Sequence, residues 1–192
     1  MSSPRIERAL ISVSDKLGLA DFARGLAAAQ VQIYSTGGTA RHLADNGVSV
    51  IEISDYTGFP EVMGGRLKTL HPKVFGGILW RRDRTDDQQV LHDHEIASLD
   101  LVVVNLYPFE ATVAREDVTW AEAIEQIDIG GPSLVRAAAK NHAFVTLATS
   151  PEQYAEILEQ IQQSGGTQPE LRRRLASAAF ARTAAYDQAI SE

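Results

Sequence analysis

The 192-residue chain contains no cysteine. Disulfides, thiolate nucleophiles and cysteine-type zinc sites are excluded together, so any chemistry must come from other side chains. Long hydrophobic runs are missing as well. No apolar stretch approaches the roughly 18 residues of a membrane span, and the start, Met1-Ser2-Ser3-Pro4-Arg5, has no hydrophobic segment of signal-peptide type. These absences argue against export and membrane insertion and for a cytoplasmic protein. A basic excess is lacking too: 18 Lys and Arg stand against 25 Asp and Glu, a formal net charge of -7. Broad nucleic-acid binding, which needs a cationic face to displace counterions, is therefore not expected. One local absence runs the other way. From Val62 to Arg82 there is no acidic residue, while Arg66, Lys68, Lys73, Arg81 and Arg82 all fall there. This reversal of sign in an acidic chain calls for a small anion; the same run also reads as a solvated basic loop.

What is present suits one globular unit. With 44% hydrophobic residues, the chain can bury a sizeable core, and its length favours a single domain over residues 1–192. Ala9 to Val13, Val31 to Tyr34, Val48 to Ile53, Asp100 to Asn105 and Phe144 to Ala148 read as strands. The Asp100 to Asn105 run is rich in β-branched residues, as a parallel strand covered on both faces should be. Helices are expected over about 16–28, from Thr39 to Asn46, over 85–94, 119–126 and 132–141, from Pro151 to Gly165, and over 169–190. Val74 to Trp80, with Gly76-Gly77 inside it, reads as a further strand or hairpin edge. His92 and His94 do not share a helix face, so they read as surface residues and not as metal ligands. Alternating strands and helices predict a three-layer α/β sandwich with a mostly parallel sheet and helices on both faces.

In such sheets ligands sit outside the carboxyl ends of the strands, and the polar groups gather there by topology. Ser12, Ser14 and Lys16 follow the first strand, Ser35-Thr36-Gly37-Gly38-Thr39 the second, and Asn105 and Tyr107 the central one. Strand, glycine turn, helix is a phosphate-holding arrangement, because backbone N–H groups can approach an anion at the positive end of a helix. The same turn also reads as an ordinary helix cap. In Gly64-Gly65-Arg66-Leu67-Lys68-Thr69-Leu70-His71-Pro72, an extended backbone would aim Arg66 and Lys68 at one ligand, with Thr69 and His71 adding neutral hydrogen-bonding groups. Asp128 precedes a Gly-Gly-Pro turn and Lys140 ends the helix that follows, roles that simple turn and dipole chemistry also explain.

Taken together, SVSDK at 12–16, STGGTA at 35–40, GGRLKTLHP at 64–72, NLYPF at 105–109 and DIGGPSLVRAAAKN at 128–141 resemble the IMP cyclohydrolase domain of the bifunctional AICAR transformylase/IMP cyclohydrolase family. The match runs in order along nearly the whole chain. KTLHP with DIGGPS is its specific part, since methylglyoxal synthase and the regulatory domain of carbamoyl-phosphate synthetase carry turns similar to STGGT. The resemblance implies a methylglyoxal-synthase-like fold. It implies a hydrolase of purine biosynthesis that closes FAICAR to IMP with loss of water, using neither cofactor nor metal. Lys68 would serve the formyl oxygen and Tyr107 would orient the reacting groups. Asp128 beside Lys140 would handle protons. Ser12, Ser14, Lys16, Ser35, Thr36, Gly37, Gly38, Thr39, Arg66, Thr69, His71, Asn105, Ile129 and Gly130 would bind the ribotide.

The family continues into an AICAR transformylase domain, in the same or a separate chain, and is dimeric. A homodimer is therefore expected here, with Trp80, Phe109 and Tyr186 as apolar residues for a partner to cover. Two rival readings use the same fold, a nucleotide-binding regulatory module without catalysis and a methylglyoxal synthase. Neither needs the basic KTLHP stretch.

Overall fold

The computed structural model describes residues 4–107, 109, 113 and 117–192. Pro108 of the NLYPF stretch lies outside the described residues. Five parallel strands, β1 (Arg8–Ile11), β2 (Gln32–Ser35), β3 (Ile51–Glu52), β4 (Leu101–Val103) and β5 (Thr146–Ala148), form one sheet in the order β3-β2-β1-β4-β5. The register pairs Ile11 with Ser35 on one side and with Val103 on the other. Because the chain leaves β1 toward β2 and β3 and returns to place β4 on the opposite side, the loops after β1 and β4 diverge and open a crevice at their carboxyl ends.

Side chains alternate across the sheet with period 2, and the core divides accordingly. Ala9, Ile11, Ile33, Leu101, Val103 and Ala148 belong to one apolar cluster, with Phe22 and Leu26 of α1 (Leu19–Ala28), Leu43 of α2 (Gly37–Asp45) and Ile157 of α8 (Tyr154–Ser164). Leu10, Tyr34, Val102 and Leu147 belong to the other. They pack with Ile53 of α3 (Ile53–Thr57), Ile78 of α4 (Pro72–Leu79), Leu134 and Ala138 of α7 (Gly130–Lys140), and Ala179 and Tyr186 of α9 (Pro169–Ser191). This is the predicted three-layer sandwich. The polar α5 (Thr85–Asp93) buries no residue, and α6 (Trp120–Glu125) opens on a capping box between Thr119 and Glu122. Among the described residues no helix is long and apolar enough to cross a membrane.

Three local expectations are corrected. Residues 74–79 belong to a helix, not a strand, and Trp80 is its extended C-cap: Pro72 supplies the first position, the His71 side chain caps it by accepting from Lys73 N–H at 3.1 Å, and Val74, Gly77 and Ile78 recur at helical spacing on the buried face. The first helix, α1, starts at Leu19 after Gly18 and not near residue 16. The third strand is two residues long because the chain turns into α3 at Ile53.

The residues expected to await a partner are covered by the chain itself. Phe109 and Tyr186 are buried and meet edge to face at 6.2 Å, and Trp80 is half-buried under the Arg82 guanidinium. His92 is well exposed beside Asp93.

Candidate active site

The hydroxyls at the strand ends fall into two groups. Ser35, fully buried, donates to Ile11 O at 2.7 Å, and Thr39 donates to Val13 O at 3.0 Å while accepting from Val13 N–H at 3.1 Å. These two, expected as ligand contacts, stitch the β1 and β2 loops together. Ser12 and Thr36 face each other instead, with hydroxyl oxygens 3.1 Å apart, and Thr36 with Gly37 lines a pocket. Thr36 precedes α2 without capping it through its side chain. A Cβ added at Gly38 would meet nothing within 4 Å, so the first turn of α2 is open to a ligand.

A second set of hydrogen bonds closes the crevice floor. Asn105 Oδ1 accepts from Ser14 N–H at 2.7 Å, from the Ser14 hydroxyl at 2.9 Å and from Asp15 N–H at 3.1 Å, while its amide donates to Asp15 O at 2.8 Å. Asn105 and Ser14 thus clasp the β1 loop to the end of β4. Lys16 folds back, its Nζ 3.4 Å from Ser14 O, and Tyr107, two residues beyond Asn105, is exposed.

The 61–72 segment does not run extended. Gly64 and Gly65 take φ of 64° and 87°, and successive turns form from Gly65 N–H to Val62 O, Arg66 N–H to Met63 O and Lys68 N–H to Gly65 O. Arg66 and Lys68 therefore do not aim at one point, as alternation had suggested. Arg66 forks onto the Glu125 carboxylate of α6. Lys68 reaches the N-terminus of α2, where its Nζ lies 2.7 Å from the position a Cβ on Gly37 would take, and pairs with Glu61 at 3.2 Å. One residue on, buried Thr69 has its hydroxyl oxygen 3.1 Å from the position a Cβ on Gly130 would take. A two-residue step thus joins the glycine turn after β2 to the turn before α7.

Asp128 sits in that second turn. Its Oδ1 accepts from Gly131 N–H at 2.9 Å, and its own N–H donates to the Tyr186 hydroxyl at 2.8 Å. Burial pushes the carboxyl above its ordinary range, against the opposing pull of the Gly131 and Gly130 amides. Ile129 is exposed beside it. Lys140 is not beside it. Lys140 lies ten residue steps beyond Gly130 on α7, about 15 Å along the axis at the α-helical rise. A helix of this length cannot bring its last turn back to its first, so the expected Asp128–Lys140 pair is not formed within the chain.

Sequence reasoning missed Glu52 and Glu61, which line the Lys68 pocket, together with Glu125 and Tyr186. All four lie far along the chain from what they touch or outside the acid-free run, so no local pattern marks them.

A parallel sheet with a polar crevice at its switch point, a glycine turn opening α2 and a lysine laid over that turn define a class. The chain belongs to the MGS-like domain family, which matches residues 18–133. Residues 138–192 match a second family, the AICARFT/IMPCHase bienzyme. Among curated proteins it is similar to the bifunctional purine biosynthesis protein PurH of Rhodopirellula baltica, 62% identical over 97% of this chain and 36% of that protein. PurH of Rhodospirillum rubrum is 58% identical over 97% of this chain and 35% of that protein. The chain thus spans about a third of the length of these relatives. Among solved structures it is similar to ForH, with a TM-score of 0.85, 34% identity and 97% of both chains covered.

Proposed function

We propose that the chain is an IMP cyclohydrolase, closing FAICAR to IMP with release of water. The observation that carries this reading is the placement of Lys68 and Thr69. Adjacent residues touch the glycine turn at α2 and the Asp128–Gly130 turn at α7, so a ribotide with its phosphate at the first would present its base toward the second. The similarity to PurH proteins and to the bienzyme family supplies the purine chemistry.

In the proposed reaction the carboxamide nitrogen forms a bond to the formyl carbon. It gives one proton to Asp128, whose buried carboxylate is a stronger base than an exposed one. The formyl oxygen gains charge in that step, and the Lys68 ammonium, displaced from the α2 turn as the phosphate fills it and carried to the base by its long side chain, stabilises that oxygen and returns a proton. The resulting hydroxyl leaves as water, taking the proton held on Asp128, as the formamide nitrogen gives its proton to the neutral Lys68 amine and the C=N bond forms to that nitrogen, so both side chains end as they began. Both reacting groups belong to one molecule, so holding the correct rotamer supplies much of the rate. Tyr107, exposed past the Ser14–Asn105 clasp, would orient the base, and Lys16, Ser12 and Thr36 would hold the phosphate end. Lys140 has no place in the proton transfer as drawn.

The similarity to PurH supports two further readings, a transformylase domain as the natural neighbour and a cytoplasmic setting. A homodimer is proposed on the resemblance alone. The test is to supply purified protein with FAICAR and, separately, with dihydroxyacetone phosphate. Appearance of IMP absorbance with the first alone supports the proposal. Methylglyoxal from the second, or no product from either, sinks it.

A further inference from the structure

Lys68 meets an unusual electrostatic setting. Its ammonium lies over Gly37 at the N-terminus of α2, where the helix already presents a partial positive charge. Two positive features at one point repel unless an anion lies between or beside them. The chain supplies that anion itself, because Glu61 Oε1 lies 3.2 Å from Lys68 Nζ. The turn between the two residues is shaped for the contact. Gly65, at φ 87°, leaves room that a side chain would take away, since a Cβ there would lie 2.6 Å from Glu61 Oε1 and 3.2 Å from Lys68 Cε. Both residues line the same pocket as Thr36 and Gly37, and Glu52 adds a second carboxylate to its wall.

The pair is also easy to break. The side chains are 38% and 50% exposed, and ion pairs that wet are weak. A carboxylate that neutralises a binding cation, with water able to replace it, behaves as a stand-in for a ligand's charge. We propose that Glu61 is a positioning residue that holds Lys68 over the α2 turn when the site is empty and releases it to the negative charge of an incoming ligand. Glu61 then sets a threshold for occupancy: a neutral nucleoside offers no charge to exchange, whereas a phosphate-bearing ribotide does. The inference rests on the reading of the site as a ribotide site, but not on its being catalytic.

Titration of IMP, and of inorganic phosphate, into wild type, Glu61→Gln and Glu61→Asp at low and at physiological salt tests this. Glu61→Gln should bind either anion about two- to fivefold more tightly at low salt, with the gain shrinking as salt rises. Glu61→Asp should stay near wild type. In a Lys68→Ala background the Glu61→Gln gain should vanish. Unchanged or weaker binding by Glu61→Gln overturns the proposal, as does an equal gain without Lys68, which would mean simple repulsion. Thermal unfolding of each variant shows whether a loss of binding is a loss of fold. These are binding measurements, so failure to turn over FAICAR would defeat the proposed function while leaving this result standing.

Discussion

Lys68 and Gly37, thirty-one residues apart in sequence, occupy each other's space: the lysine Nζ lies 2.7 Å from where a Cβ on Gly37 would be. The glycine is therefore required twice, for its φ of 44° and for the ammonium above it. Gly37→Ala should strain the backbone by about 1 kcal/mol or more and push Lys68 off the turn. The expected outcome is a modest fall in Tm with a loss of turnover far larger than that fall explains. Normal turnover in a folded Gly37→Ala protein would show that the position of Lys68 does not matter.

Gly131 stands in the same relation to Asp128. A Cβ there would lie 2.1 Å from Asp128 Oδ2, and Gly131 is not among the residues with positive φ. Gly131→Ala should therefore displace the carboxylate with little backbone strain. Its loss of turnover should approach that of Asp128→Asn, and the double variant should be scarcely worse than either single one. Additive losses would separate the two residues.

Asp128 also predicts a pH dependence. Burial raises its carboxyl above the ordinary range, so the folded state binds this proton more tightly than the unfolded state. Its contribution to stability consequently falls as pH rises from the unfolded value to the folded one. Activity has the opposite slope, because the base must be ionised. The acid limb of kcat/KM should lie above the ordinary carboxylate range and disappear as a distinct limb in Asp128→Asn. A limb at or below that range would assign it to another group.

His71 caps α4 through Nδ1, which accepts from Lys73 N–H at 3.1 Å. His71→Ala should cost about 1 kcal/mol in urea unfolding, and His71→Asn, which keeps an acceptor at the cap, should recover most of it. Equal losses in both variants would place the contribution of His71 outside the cap.

Much of the fold was legible because parallel strands and amphipathic helices repeat at fixed periods. Leu101–Val103 and the helix ending at Gly165 were found this way. The 72–79 segment was not, since Gly76-Gly77 hides a helix whose evidence lies in its His71-Pro72 start. At the site, sequence brought the right segments together but could not say which hydroxyls face inward. Ser35 and Thr39 look like ligand groups until their partners, Ile11 O and Val13 O, are known. Likewise, alternation placed Arg66 with Lys68, whereas two glycines of positive φ coil the chain and send the arginine to Glu125. The resemblance sets Asp128 beside Lys140, whereas the helix between them keeps the two at its opposite ends.

The most direct test is steady-state kinetics with FAICAR on Lys68→Ala, Lys68→Arg and Asp128→Asn, beside equilibrium binding of IMP to the same proteins. Lys68→Ala and Asp128→Asn should each lose on the order of a hundredfold or more in kcat, about 2.7 kcal/mol or above. IMP binding through the α2 turn should weaken by no more than roughly tenfold. Lys68→Arg should recover part of the loss if charge alone matters, and little of it if proton return does. Near-normal kcat in either Lys68→Ala or Asp128→Asn would contradict the assignment of the chemistry to these two residues.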